Sequence, residues 1–335
     1  MSIRKRSSHT LALALSFFAL CAQLVGVDLV SYACAQTYPA KPIKLIAPYP
    51  PGGGVDTVAR LLAERLAPRL GQQVIVDNKP GAGATIGGEA LARSTPDGYT
   101  LMLGSVIDYS TAPLFQKGMT FDMRRDFAPV VEVGFGTVGM LVTADLPVKN
   151  LQELIALAKA KPGELSFASS GTGALHHLNM EMFKQQTGVD LVHVPYKGTT
   201  QFLPDLISGR VQLTMDSMPA HLPNIQTGKV RALAVASAKR SAMLPDVPTM
   251  AEAGLPGFET ATNYTLFAPA GTPPEIIAVL NRETNEVLKQ QDLRDRLLGL
   301  GIVVSGGTVD AVRARIPAEM EKWARVVKMA NIKIE

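Results

Sequence analysis

Two short stretches of this 335-residue chain combine small residues with backbone and hydroxyl donors. The first is Pro48-Tyr49-Pro50-Pro51-Gly52-Gly53-Gly54-Val55-Asp56. The second is Ser169-Ser170-Gly171-Thr172-Gly173. Glycine lets a backbone approach a ligand closely and take dihedrals that other residues avoid. Each stretch leads into a segment with helical apolar periodicity. A helix N-terminus presents free N–H groups and partial positive charge. The chemistry on offer is anion binding. Neither stretch contains an arginine, so a carboxylate would be held by N–H and O–H groups, not by a bidentate guanidinium.

Other side chains surround these turns. Asp56 lies in the first turn of its helix and reads as a carboxylate that holds the loop. Asp216 follows the apolar strand Leu213-Thr214-Met215, as a cap for the next short helix or as a cleft residue. Tyr196, in Val194-Pro195-Tyr196-Lys197-Gly198, offers an aromatic wall. His176 and His177 point about 100° apart on a helix. One of them reaches the cleft while the other packs, and His177 is the candidate.

Enzyme signatures are not met. Gly52-Gly53-Gly54 lacks the Gly-Lys-Ser/Thr of a phosphate loop. Gly81, Gly83 and Gly87 miss the dinucleotide spacing by one residue. Ser169 and Ser170 do not sit in a Gly-x-Ser-x-Gly elbow. The histidines lack a His-Glu-x-x-His spacing. No catalytic residue, metal site or cofactor is therefore expected. The alternative in this class is an exported hydrolase using Ser169 or Ser170 near His177.

The elements that would position these residues alternate. Lys41 to Pro48 reads as a strand, Val55 to Leu70 as a helix, and Gln73 to Asp77 as a strand buried on both faces. Thr85 to Arg93 is a helix and Tyr99 to Leu103 a strand. This order predicts a parallel sheet with right-handed crossovers, whose ligands bind beyond the carboxyl ends of the strands. Ser105 to Phe127 is less regular. Val130 to Val133 and Val138 to Thr143 read as two strands. A second α/β unit follows, again opening with strand (Leu165 to Ala168), small-residue turn and helix (Leu175 to Gln186). Thr272-Pro273-Pro274-Glu275 reads as a capping box. The expected fold is α/β, with two α/β domains and a cleft between them: 36–137 with 262–335, and 138–261. The chain would cross between them near 134–142 and 258–267.

Positions 1–35 differ in character. Arg4, Lys5 and Arg6 precede an apolar core from Leu11 to Leu20, and Ala33-Cys34-Ala35 offers a cleavage site. This reads as a secretory signal peptide cleaved near Ala35. Both cysteines lie within it, so the mature chain would carry neither disulfide nor thiolate chemistry. The segment holds three basic residues and one acidic, leaving +2 of the formal +4 charge for the remainder. That is too weak for a nucleic-acid binder.

Several motifs, in order, resemble one family. They include Tyr38-Pro39-x-Lys41-Pro42-Ile43, the Pro50 to Arg60 stretch, Asn78-Lys79-Pro80-Gly81-Ala82-Gly83, Pro96-Asp97-Gly98-Tyr99, Ala168 to Gly173, His193 to Gly198, and Leu244 to Thr249. The chain resembles the Bug family, the periplasmic solute-binding components of tripartite tricarboxylate transporters. The resemblance implies a periplasmic-binding-protein type II fold that closes on a small carboxylate. It implies integral membrane permease subunits as partners, a periplasmic location and a monomeric receptor. A periplasmic sensor is the alternative within this class. The loops matching Pro48 to Asp56 and Ser169 to Gly173 would grip the carboxylate. One segment departs from the family pattern. Ser105-Val106-Ile107-Asp108-Tyr109-Ser110-Thr111-Ala112-Pro113 replaces a polar run ending Asn-Pro. Ser105 and Asp108 are therefore expected to adjust ligand choice, with Asp108 disfavouring a highly charged anion.

Overall fold

The apolar run Ile43-Lys44-Leu45-Ile46-Ala47 forms the first strand, β1 (Ile43–Ala47), and all but Lys44 are buried. In this computed structural model, described over residues 38–115 and 119–329, β1 lies between two parallel neighbours, β2 (Val74–Asn78) and β3 (Thr100–Gly104). The signal-peptide segment lies outside the described residues. Helix α1 (Gly54–Leu70) follows β1 and buries Val58, Leu61, Leu62 and Leu66 against the sheet. Gly71, in the left-handed region at φ 67°, ends it.

β2 is not buried on both faces. It is an edge strand and Ile75 is 53% exposed. Helix α1 packs on β2, and Ile75 faces away from any cover. The segment after β3 is more regular than its composition predicts. Helix α2 (Thr85–Ala92) precedes β3, and the segment after β3 contains α3 (Val106–Phe115) and α4 (Met123–Asp126). Serine, threonine and Pro113 are poor helix formers. Burial of Val106, Ile107, Tyr109 and Ala112 overrides that preference.

The two strands expected at Val130–Val133 and Val138–Thr143 are one 17-residue strand, β4 (Phe127–Thr143). Glycines at 134, 136 and 139 interrupt the β-branched pattern without breaking the strand. They are there because of close approach: a Cβ on Gly134 would lie 2.5 Å from the Val303 carbonyl oxygen.

The second unit contributes α5 (Leu151–Ala160), β5 (Ser166–Ser169), α6 (Leu175–Thr187), β6 (Val192–Pro195), α7 (Thr199–Ile207), β7 (Leu213–Ser217), α8 (Leu222–Gln226) and β8 (Val230–Val235). The chain then returns as β9 (Ala261–Pro269), α9 (Pro274–Leu288), α10 (Gln291–Leu298), β10 (Ile302–Val304) and α11 (Val309–Met329). The strand order is β2-β1-β3-β9-β4-β7-β5-β6, with β8 and β10 also paired to β4. The first half of β4 pairs with β9 and β10. Its second half, from Val138, pairs with β7 and β8.

Two large apolar clusters accompany these pairings. One surrounds β1, β3, β9 and α1. The other surrounds the second half of β4, Phe167, Leu178 and Phe183. Helix α11 touches both. Val309 and Ile316 pack against the first cluster, whereas Trp323 and Val326 belong to the second. Arg315 of α11 pairs with the buried Glu132 of β4 and lies over the Phe135 ring. Thr272 does not form the expected capping box. Pro273 occupies the cap position of α9, and the Thr272 hydroxyl donates to the Pro269 carbonyl instead.

Candidate functional site

The first turns of α1 and α6 face one cavity. Gly53, Gly54 and Val55 line it from one helix, and Leu175 and His176 from the other. The cap residues, Gly53 and Ala174, provide no side-chain acceptor, so the α1 end keeps the electropositive character of an N-terminus, whereas the α6 end is met by Asp108 through the Leu175 N–H. Tyr49, Pro50, Ser105, Asp108, Thr199, Ser217 and Thr262 complete the wall.

The cavity is narrow. Its central free volume is about 20 Å³, room for about one water molecule. The walls meet above it. A Cβ on Gly198 would lie 2.4 Å from Pro50 Cδ, and one on Gly52 would lie 3.5 Å from Thr200 Cγ2. On a second side, Gly171 packs against the Gly83 backbone, its hypothetical Cβ 3.0 Å from Gly83 N. Glycine is required at Gly52 and Gly171 also because φ is +80° and +116°.

Asp56 holds the first turn. Its Oδ2 accepts from the Gly52 N–H at 2.8 Å and from Arg60 Nε at 2.9 Å, and its Oδ1 accepts from Asn78 Nδ2 at 2.9 Å. Asn78 also donates to the Tyr49 carbonyl. The carboxyl oxygens of Asp56 are thus spent on the loop, and Asp56 does not line the cavity.

Asp108 sits on α3 inside the wall. Tyr49 Oη donates to its Oδ2 at 2.8 Å, and the Leu175 N–H of α6 donates to its Oδ1 at 3.2 Å. Burial pushes the Asp108 carboxyl up, while the Tyr49 bond, the charge of His176 and the Leu175 amide pull it back. Burial and Asp108 push the Tyr49 phenol well up, so it stays a donor. Ser105 donates to Asn263 Oδ1 and accepts from the Ile107 N–H, capping α3.

Behind the cavity lies a polar chain. His176 Nε2 is 2.7 Å from Asp216 Oδ1, and His176 Nδ1 is hydrogen-bonded to Ser170 Oγ. Asp216 also accepts from Thr199 Oγ1 at 2.6 Å and from the Ser217 N–H at 2.6 Å, and His221 Nε2 lies 2.8 Å from its Oδ2. Burial alone would raise the Asp216 carboxyl, but His176 and His221 hold it well below the usual carboxylate range. Burial alone would lower His176, but the Asp216 charge raises it above the usual histidine value. The two shifts favour an imidazolium and a carboxylate, with the ring on the cavity side. Serine, histidine and aspartate follow one another here in hydrolase order, but Ser170 is 1% exposed and does not reach the cavity.

His177 points the other way. Its Nδ1 accepts from the Gly173 N–H at 3.1 Å, and its ring stacks on His193 with centroids 4.1 Å apart. His193 in turn meets Ser169 Oγ at 2.6 Å and stacks on Phe167. Burial lowers His177 to about 3, with His193 and Lys184 adding to the shift, and lowers His193 to about 4, with Lys184 adding.

Of the residues singled out from sequence, Tyr49, Gly53, Ser105 and Asp108 line the cavity. Pro51, Gly52 and Asp56 shape the first turn behind it. Ser169, Ser170, Thr172 and Gly173 form the second turn without lining the cavity. Asp216 acts through His176, Thr199 and Ser217. His177 gives its place in the wall to His176, because the helix begins at Leu175 and that phase turns position 176 inward. Tyr196 turns away, its hydroxyl donating to Asp205 on α7 at 2.7 Å. The residues that sequence reading misses are Pro50, Gly54, Val55, Leu175, His176, Thr199, Ser217 and Thr262. The first five sit in or beside the turns already marked, whereas Ser217 and Thr262 arrive from distant strands without a local signal.

A larger cavity, about 300 Å³, opens between α11 and the strands β4 and β9, lined by Ile107, Phe135, Asn263 and Trp323 among others. Neither small-residue turn reaches it. Among the described residues, no group of three or more His, Cys, Asp or Glu could hold a metal ion, and no helix is long and apolar enough to cross a membrane.

The sequence profile described as "Tripartite tricarboxylate transporter family receptor" matches residues 58–332. Protein BugT of Bordetella pertussis is 40% identical over 306 residues, covering 90% of this chain and 93% of BugT. Among solved structures, R. palustris Rpa4515 with adipate superposes with a TM-score of 0.86 at 38% identity, covering 88% of this chain and 99% of that one. The periplasmic binding protein BugD superposes with a TM-score of 0.84 at 36% identity, covering 88% and 99%. The mixed α/β fold is that of these periplasmic binding proteins.

Proposed function

This chain belongs to the tripartite tricarboxylate transporter receptor family, and on that premise we propose that it is an extracytoplasmic receptor for a small carboxylated metabolite. The ligand sits between the first turns of α1 and α6 and passes to integral membrane permease subunits. One observation carries this reading: the first turns of two helices, from two strand–turn–helix units, line the same cavity, and neither cap residue supplies a side-chain acceptor. Backbone N–H groups of Gly53 to Val55 meet the carboxylate, and the His176 imidazolium supplies a positive wall. The adipate named with the R. palustris relative supports a carboxylate of this size.

With room for about one water, the cavity admits no such ligand without opening. The protein therefore exchanges ligand by hinge motion, with the bound state selecting the closed form. The domains are 36–137 with 262–335, and 138–261, and the crossings of β4 and β9 between them are the hinges. The receptor works in the periplasm, a reading supported by the family and by the signal-peptide pattern of positions 1–35.

Calorimetry tests the reading. The purified chain, stripped of co-purified ligand by unfolding and refolding, is titrated with mono-, di- and tricarboxylates and amino acids. Saturable one-to-one binding of at least one carboxylate is expected, with a decrease in radius of gyration by solution scattering. Absence of binding across the panel would sink it.

A further inference from the structure

Asp108 is a buried carboxylate in the cavity wall, 2% exposed, and no cation among the described residues is bonded to it. Its carboxylate accepts from the Tyr49 hydroxyl and the Leu175 N–H. An ionised carboxylate has about four acceptor positions, so capacity remains on the cavity side. The cation-capable side chain that senses it most directly is His176, and both ring nitrogens of that residue are engaged, one by Ser170 and one by Asp216. A buried carboxylate that no cation bonds is costly to keep ionised. A cation brought by the ligand removes that cost.

The same residue decides where a ligand anion goes. By accepting from the Leu175 N–H, Asp108 already occupies the α6 end of the cavity with negative charge. Among the described residues, no acidic side chain is directed at the α1 end, Gly53 to Val55, since Asp56 is turned back onto Gly52, Arg60 and Asn78. The cavity is polarised, receptive to an anion at α1 and to a cation at Asp108.

We propose that Asp108 binds the ammonium group of a zwitterionic ligand whose carboxylate rests on the first turn of α1, so that the receptor selects amino acids against dicarboxylates. This inference rests on the reading of the cavity as a carboxylate site, and it separates the chain from its adipate-bound relative.

Matched pairs test it. Succinate, glutarate and adipate are each compared by calorimetry with the amino acid in which one carboxylate is replaced by an aminomethyl group, and propionate is compared with α-alanine. The wild-type protein should bind the amino member of at least one pair ten-fold or more tightly than its counterpart. Asp108→Asn, which keeps the shape and can still accept from Tyr49, should erase or reverse that preference. The wild-type comparison stands even if the variant folds poorly. If the acids bind as tightly as the amino acids in every pair, or if Asp108→Asn leaves an amino preference untouched, the inference fails while the carboxylate reading survives. If no probe binds at all, both fall together.

Discussion

His176 Nε2 lies 2.7 Å from Asp216 Oδ1, and both side chains are buried, so the first turn of α6 is tied to β7 by an ion pair beneath the cavity floor. Removing one partner of such a pair leaves an uncompensated charge, at a cost of roughly 3–5 kcal/mol. Asp216→Asn should therefore lower the unfolding free energy by about that amount, measured by urea unfolding at pH 7. It should also weaken ligand binding, because the imidazolium in the wall loses its counter-ion.

The same pair has a pH signature. His176 is raised above its ordinary 6.5, so its contribution is fully present below pH 6.5 and is lost as pH rises through the raised folded value. Asp216 is depressed below its ordinary 3.8, so its contribution is present above pH 3.8 and fades as pH falls through the lowered value. The pair stabilises most between about pH 4 and 6.5. His176→Gln should flatten the decline in thermal midpoint above pH 6.5. A decline unchanged by the substitution would assign it to other groups.

His177 and His193 act in the opposite sense. Their folded values, about 3 and about 4, lie below the ordinary 6.5. The unfolded chain therefore takes up protons first, and their contribution is lost as pH falls from 6.5 towards 4. The thermal midpoint should drop over that interval. His193→Phe, which keeps a ring against Phe167 and His177, should reduce the slope of the drop at the expense of the Ser169 hydrogen bond.

Asp56 accepts from the loop amide, from Arg60 and from Asn78, and none of its bonds reaches the cavity. Asp56→Ala leaves the Gly52 N–H and the Asn78 amide without their acceptor, at a cost of about 1–3 kcal/mol. The expected result is a lower thermal midpoint together with weaker ligand binding. Loss of affinity without loss of stability would instead mean direct ligand contact.

Gly198 faces Pro50 so closely that a Cβ would fall 2.4 Å from the ring. Gly198→Ala should hold the walls apart. Affinity should fall ten-fold or more, and ligand should no longer reduce the radius of gyration, while the unliganded protein melts near the wild-type temperature. An unchanged affinity would place the closing surfaces elsewhere.

The site was legible in sequence where backbone carries it. Gly52 to Gly54 and Ser169 to Gly173 marked both turns because strand, glycine and helix follow one another in local order. Side-chain direction was less accessible. Whether His176 or His177 faces the ligand depends on one residue of helix phase, set by Ala174 as the cap. Tyr196 was drawn off by Asp205, a partner that only the position of α7 reveals. Ser217 and Thr262 reach the cavity through pairings of β7 and β9 with β4, which no local pattern announces. The same pairings explain why the sequence of β4 resembles two strands: its glycines look like breaks until β9 and β10 are laid beside it.

β9 lies between β3 and β4, yet it is made only after every strand from β4 to β8. Until it arrives, β3 and β4 each present an unpaired edge to the surroundings, and exposed edges invite association with other chains. The architecture therefore resists early completion as the polypeptide lengthens from its N-terminus. A fragment ending before Ala261 would lack the strand that joins β3 to β4. Such a fragment should aggregate, not persist as a smaller binding module.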